Sequence, residues 1–409
     1  MAIMFTMSVY HPDIINFITA KEEEGVIANA NMSVMVDDKF MKAVEDDKTF
    51  WTEFKGKKYK EYNAREVFNL IVEGAWRNGE PGVLFQNRID QSPYQEAGEE
   101  IFSTNPCSEQ PLPPNGVCNL GSIDLSKLLN KNKQLDYEKL ETIVKLAVKF
   151  LDSVIDKTTY PTKEIEEWSI ANRPIGLGVM GYADYLLIKE ITYGSKEALD
   201  ELETIMSFIY NKAKEESENL GKIFGVPSMC QKLSEPRRNI TILTVAPTGT
   251  ISLIAGCSSG IEPVFSEIIV RNDKTGTYTF ENDLAKKPYF KCAVSSNGTA
   301  HEVNWEEHIR TLASAQKYVD SGVSKTINFP QSAKRESMAS AIILAWKLNC
   351  KGLAMYRDKS RKVQVLSPKN LKRDKCPICG NDLVTMNDKK RCLVCKQDDV
   401  ATMSPTTYD

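Results

Sequence analysis

Apolar positions recur every three to four residues over several long stretches of the chain and every second residue over shorter ones, so helices and strands alternate. Helical spacing runs from Tyr137 to Ile155 and from Ser195 to Leu220. Asn63 is placed to cap a helix through Trp76 that ends near Gly79, and Pro12 to Glu24 reads as a helix stopped at Gly25. Asn31 to Val36 reads as a strand; Asn239 to Val245 is a β-rich run leading into Pro247-Thr248-Gly249-Thr250. Late helices are expected over Trp305–Val319 and Gln331–Leu348, before a strand near Gly352–Tyr356. The alternation predicts an α/β architecture, and no internal repeat interrupts it.

Composition narrows this little. With 409 residues, 42% of them hydrophobic, the chain can bury one large core or two smaller ones. A net charge of −3 gives no basic excess for nucleic acid, although a nucleotide needs only a local anion site. No apolar run is long enough to span a bilayer, and Met1 to Tyr10 lacks the pattern of a signal peptide. Ten cysteines in such a chain imply reduced thiols, metal or catalysis in a cytoplasmic setting rather than a disulfide framework.

The densest chemistry is Asn105-Pro106-Cys107-Ser108-Glu109, with Cys118 eleven positions after Cys107. In an extended backbone Asn105, Cys107 and Glu109 would share one face and could converge on a small target. A thiol can relay hydrogen or electrons, a carboxylate can take a proton, and an amide can orient a hydroxyl. A plain turn with a buried cysteine is the competing reading of these five residues. After Pro247, the residues Thr248, Gly249 and Thr250 offer backbone N–H groups and two hydroxyls to an anion, though such a turn in isolation is more often only a turn. Gly176 to Gly181 does not fit a dinucleotide fingerprint. Cys376, Cys379, Cys392 and Cys395 form two Cys-x-x-Cys pairs twelve residues apart, a zinc-ribbon spacing, after a basic stretch from Lys369 to Lys375. A redox tail is the competing reading. Cys292 and Cys350 read as core residues, and His11, His301 and His308 lack metal-ligand spacing.

The Asn-Pro-Cys-x-Glu-Gln-Pro-Leu segment, Cys118-Asn119-Leu120-Gly121-Ser122-Ile123 and Ala246-Pro247-Thr248-Gly249-Thr250-Ile251-Ser252 occur together and in order. Gly79-Glu80-Pro81-Gly82, Ser258-Ser259-Gly260-Ile261-Glu262-Pro263 and Ser324-Lys325-Thr326-Ile327-Asn328 extend the pattern. From about residue 8 to residue 366 the chain resembles the large catalytic subunit of ribonucleotide reductase, most closely its adenosylcobalamin-dependent class.

The resemblance implies the C-terminal portion of a ten-stranded α/β barrel with the Cys107 loop at its centre. It makes residues 1–366 a partial catalytic barrel; the cysteine spacing then sets off a basic linker (367–375), a four-cysteine zinc-ribbon-like module (376–398) and a tail (399–409). It further implies that a cofactor-derived radical takes hydrogen from Cys107, that the thiyl attacks the ribose 3′ carbon–hydrogen bond, and that Glu109 is the base for the 3′ hydroxyl. Asn105 would hold the sugar hydroxyls, Cys118 would be half of the reducing dithiol, and Pro247 to Thr250 would cradle the substrate phosphates. Ala28, Asn29 and Ala30 occupy the place of the loop between effector and substrate base. The family sets the second dithiol cysteine upstream of this motif, and no cysteine precedes Cys107, so a companion N-terminal polypeptide is expected, with a truncated copy as the other reading. Met355 before Tyr356 breaks the adjacent-tyrosine pair of the iron-dependent class, and the glycyl-radical motif is absent, which leaves adenosylcobalamin. Zinc, a ribonucleoside diphosphate substrate and a thioredoxin-like reductant complete the expected set; a homodimer stays open, and neither membrane nor nucleic acid is expected. A non-catalytic regulatory module and a reductase using another radical source are the alternatives.

Overall fold

The computed structural model describes residues 3–22, 27, 30–273, 276–282, 284–295, 301–360, 366–368, 383–386 and 389–392. In chain order the first part comprises β1 (Ile3–Ser8), α1 (Ile14–Thr19), β2 (Ala30–Val36), α2 (Asp38–Glu45), the hairpin β3 (Thr49–Phe54) and β4 (Lys57–Asn63), α3 (Ala64–Asn78), β5 (Gly82–Phe85), and the short helices α4 (Gln86–Ile89) and α5 (Pro93–Glu96). The middle holds β6 (Ser103–Thr104), β7 (Pro111–Leu112), β8 (Asn119–Asp124), α6 (Tyr137–Lys157), α7 (Lys163–Asn172), β9 (Ile175–Met180), α8 (Tyr182–Lys189) and α9 (Lys196–Phe224). After them come α10 (Ile251–Ala255), β10 (Ile268–Asp273), β11 (Gly276–Glu281), α11 (Trp305–Gln316), β12 (Thr326–Phe329), α12 (Arg335–Lys347), β13 (Gly352–Arg357), β14 (Leu366–Pro368), β15 (Leu383–Met386) and β16 (Lys389–Cys392).

The expected helices form where caps and periodicity agree. Asn63 accepts a hydrogen bond from the Glu66 N–H at 3.0 Å to open α3, and Gly79 closes it at φ 84°, a left-handed conformation that suits glycine. Asp136 and Ser195 cap α6 and α9, which pack against each other and bury Val144, Val148 and Leu151 of α6 and Leu202, Ile205 and Ile209 of α9 in one core. These side chains join a core that also takes in Val34, Val83, Ile327 and Leu353 of the central strands. At roughly 1.5–3 kcal/mol for each buried large aliphatic side chain, packing outweighs any single cap.

The main sheet has the order β1-β2-β5-β13-β12. β1, β2 and β5 run parallel, β5 and β13 antiparallel, and β13 and β12 parallel again, so two parallel sets meet at one antiparallel seam. β8 and β9 form a separate parallel pair in register Asn119 to Ile175. Single bridges from Leu177 to Leu243 and from Val245 to Val323 continue that pair towards the residues entering β12. The expected mixed α/β pattern is therefore present, with helices over the strands.

Two expected elements differ. Asn239 to Val245 is extended but not a regular strand, because the N–H groups of Ile242 and Leu243 both donate to the Asp320 carboxylate, at 2.8 and 3.2 Å, instead of to a neighbouring strand. α1 ends at Thr19 rather than running to Glu24: the Lys21 carbonyl accepts from the Asn78 side chain, and the Lys21 ammonium contacts Glu80 and the Ala30 carbonyl, turning the chain away from the helix axis. Among the described residues no helix is long and apolar enough to cross a membrane.

Candidate active site

β6 and β7 pair as Ser103–Leu112 and Thr104–Pro111, and the six residues between them form a tight finger. The Ser108 N–H donates to the Asn105 carbonyl at 2.9 Å, with Pro106 at the second turn position, where its fixed φ is suited. Ser108 has a φ of 65°. The segment is thus a turn and not the extended strand that alternation of side chains would require, which corrects the expected geometry. Convergence arises because the turn folds Asn105 back onto the residues after Cys107: its Oδ1 accepts from the Gln110 N–H at 2.9 Å, and its side chain lies near enough to the Glu109 carboxylate to favour the charged form.

Four distant segments seat the finger. Asn31 of β2 donates to the Pro106 carbonyl at 2.9 Å. The Glu109 carbonyl accepts both the Gly322 N–H at 2.7 Å and the Thr244 hydroxyl at 3.0 Å, while the Gln110 side chain donates to Thr244 at 2.7 Å. A Cβ at Gly322 would lie 2.5 Å from the Ser108 carbonyl oxygen and 2.9 Å from the Glu109 Cα, so close approach of the two backbones requires glycine there. Gly352, opening β13, stands under Ser108.

The electrostatics favour neutral thiols beside a reluctant carboxylate. Glu109 is only 3% exposed, and its Oε2 is buried with no hydrogen-bond partner among the described residues. Burial raises its carboxyl above the ordinary value, an effect that the Asn105 amide partly offsets. Cys107 sits accessibly at the finger tip, yet the surrounding protein and then the Glu109 charge push its thiol up to about 11. Cys118, just before β8, is raised further by burial and by the same Glu109 charge, which places all three groups in one field. The Cys118 side also opens on a cavity of about 190 Å³ lined by Ile155, Tyr160 and Pro174. An S–H that keeps its proton can give up a hydrogen atom, and a carboxylate with an unfilled acceptor site can take a proton from a bound hydroxyl.

Three residues beyond Thr244 the chain reaches the Pro247–Thr250 turn. Thr248 is buried with a φ of 53°, an unfavourable conformation for a β-branched residue, and its Oγ1 accepts the Gly260 N–H at 2.8 Å. Gly249 and Thr250 are exposed, and a Cβ at Gly249 would meet nothing, so the face above the turn is open. α10 begins directly after it. The finger and this turn are linked through Thr244, which holds one and leads into the other.

Ala28 and Asn29 lie outside the described residues, and Ala30 is the first residue of β2. Cys376, Cys379 and Cys395 likewise lie outside them; Cys392 ends β16, which pairs with β15 as a hairpin between the two cysteine pairs. Cys292 and Cys350 are fully buried, as expected of core residues. Asn31, Gln110, Thr244 and Gly322 were not singled out by sequence reasoning as site residues. Gln110 offered the one available signal, a glutamine adjoining the catalytic-looking carboxylate.

The family described as "Ribonucleotide reductase, barrel domain" matches residues 1–232, 230–287 and 283–356. The chain is 41% identical over 399 residues to a vitamin B12-dependent ribonucleoside-diphosphate reductase of Thermoplasma acidophilum, covering 89% of this chain and 52% of that protein. It is 36% identical to a protein of the same name from Mycobacterium tuberculosis strain CDC 1551, covering 90% of this chain and 58% of the relative. A vitamin B12-dependent ribonucleotide reductase of Rhodopirellula baltica is 25% identical, with 90% and 46% covered. The chain thus spans about half the length of these curated relatives.

Proposed function

Since the chain belongs to the ribonucleotide reductase barrel-domain family, we propose that it is the C-terminal catalytic part of a cobalamin-dependent ribonucleoside-diphosphate reductase. The observation that carries this reading is the Oε2 of Glu109, buried with no partner among the described residues, beside the protonated thiol of Cys107. A ribose 3′ hydroxyl would fill that acceptor site.

The fit to adenosylcobalamin rests on the hydrogen donor. Cys107 is accessible, and its raised pKa keeps the S–H intact, as loss of a hydrogen atom requires. No residue is assigned to the corrin. When bound, the cofactor would supply the carbon-centred radical chemistry that a side chain cannot. Cys107, having lost its hydrogen, takes the ribose 3′ hydrogen and returns it to the 3′ carbon once the 2′ carbon has been reduced. Glu109 accepts the 3′ hydroxyl proton, and Asn105 orients the sugar while the 2′ oxygen leaves as water. Cys118 and a second thiol then supply two electrons and close a disulfide. The Pro247–Thr250 turn holds the diphosphate, with Gly249 and Thr250 exposed on its open face.

In this reading the second thiol comes from a companion polypeptide, which a thioredoxin-like protein ultimately re-reduces. Among the described residues no strand pairs with the outer edge of β1, where Ile3 and Phe5 are exposed, and such an edge favours strand addition that would extend the sheet towards a ten-stranded barrel. The β15–β16 hairpin between Cys-x-x-Cys pairs supports a four-cysteine zinc ribbon over residues 376–398. A cytoplasmic setting would keep the remaining thiols reduced. The test is deoxynucleotide formation by the chain purified with its native partners, given ribonucleoside diphosphate, dithiothreitol and adenosylcobalamin. Cobalamin-dependent product that disappears in Cys107→Ser is expected. Turnover by Cys107→Ser would overturn the assignment.

A further inference from the structure

Among the described ion pairs, Lys325 contributes the most deeply buried cation. Its side chain is 0% exposed, and it precedes β12 in the wall behind the Pro247–Thr250 turn. The ammonium donates to Glu262 Oε2 at 2.5 Å and to the Thr326 carbonyl at 3.2 Å, and it contacts His308 Nδ1 at 2.9 Å. With Nδ1 as acceptor, neutral His308 carries its proton on Nε2, which is buried without a partner among the described residues. The Tyr193 ring lies 5.7 Å from the ammonium.

Desolvating a lysine costs several kcal/mol, and an apolar residue of similar volume would often hold a core at least as well. What the pair specifies is the position of a loop. Glu262 receives the Thr326 N–H at 2.6 Å on its other oxygen, so the carboxylate is fixed at both ends. The Glu262 N–H donates to the Ser259 carbonyl at 2.9 Å, and the Tyr193 hydroxyl donates to the Ile261 carbonyl at 2.6 Å. This pinned Ser259–Glu262 segment supplies the Gly260 N–H that holds Thr248, and its Ser259 hydroxyl bonds Ser252 at 2.9 Å on the far side of the turn. The path from Lys325 to the strained Thr248 is thus continuous and hydrogen-bonded.

We propose that Lys325 and Glu262, backed by Tyr193 and His308, form a brace beneath the Pro247–Thr250 turn that sets affinity for the diphosphate end of the substrate. Lys325 is here a positioning residue: it acts through Glu262 and Gly260. The inference rests on reading the turn as a phosphate cradle.

The experiment compares equilibrium binding of cytidine diphosphate and of cytidine to the enzyme assembled with its native partners. In Lys325→Met the ratio of the two affinities should fall about tenfold, the worth of one charge-assisted hydrogen bond in holding the loop. A role confined to general stability would weaken both ligands equally. Thr248→Ala, which removes the cradle's own anchor, separates the two ideas. If it lowers the ratio and Lys325→Met does not, the brace is wrong and the cradle stands; if neither lowers it, the cradle reading falls and the brace with it. Should Lys325→Met fail to fold, Tyr193→Phe decides: a lowered ratio supports the brace, and an unchanged ratio overturns it.

Discussion

Replacing Glu109 with glutamine separates chemistry from folding at one position. The shape is kept, so the Glu109 carbonyl still accepts from Gly322 and Thr244 and the finger stays seated. Losing a positioned base costs about 10²–10⁴-fold in rate, and single-turnover deoxynucleotide formation should fall by that range. Stability should move the other way. Burial raises the folded carboxyl above its unfolded value, so the ionised form favours the unfolded chain: native stability declines as pH rises from the unfolded value through the folded one, and is flat above. The neutral amide removes that penalty. At pH 8 the variant should be more stable than the parent by up to about 1–3 kcal/mol, the range for a buried polar group left unsatisfied, and the difference should vanish below about pH 3, where Glu109 is protonated in both states. Denaturant melts at the two pH values, run beside the single-turnover assay, read both effects. A variant that retains more than about a tenth of parental rate would sink the base assignment. A variant less stable than the parent at pH 8 would refute the electrostatic account of Oε2.

Three other outcomes follow from the same geometry. The parental pH profile should rise through the elevated Glu109 value and fall as the Cys107 thiol loses its proton near about 11, a bell read from initial rates; a profile flat through the acid limb contradicts a titrating base. Cys118→Ser should spare the first hydrogen abstraction but stop deoxynucleotide formation even in a single turnover, because half of the reducing dithiol is gone, as rapid-quench product counts will show. Gly322→Ala places a Cβ 2.5 Å from the Ser108 carbonyl oxygen, so displacement of the finger should cost about 10²-fold in rate while the melting transition stays cooperative.

Local signals in the sequence were reliable where the physics is local. The α3 helix matches its Asn63 cap and Gly79 stop, and α6, α9 and β13 fall close to their expected bounds, because caps and periodicity are short-range properties. The finger residues were legible as a motif, but their geometry was misread: alternation assumes a strand, whereas Pro106 and the Ser108–Asn105 hydrogen bond impose a turn. Asp320 replacing a strand partner for Ile242 and Leu243, and Gly322 meeting Glu109, are contacts between residues far apart in sequence, and nothing at either end announces the other. The Lys325–Glu262 pair was hidden for the same reason, although both residues stand in segments that the motif comparison picked out.

The antiparallel seam between β5 and β13 also sets a timetable. About 270 residues separate these neighbours, so at a synthesis rate of about 5–20 residues per second β5 leaves the ribosome roughly 10–50 s before the strand that will cover its edge. Gly322 and Gly352, which seat the finger, arrive equally late. A nascent chain therefore carries a finished Cys107 motif with nothing to hold it, and chaperone occupancy on stalled chains should persist until β13 has emerged.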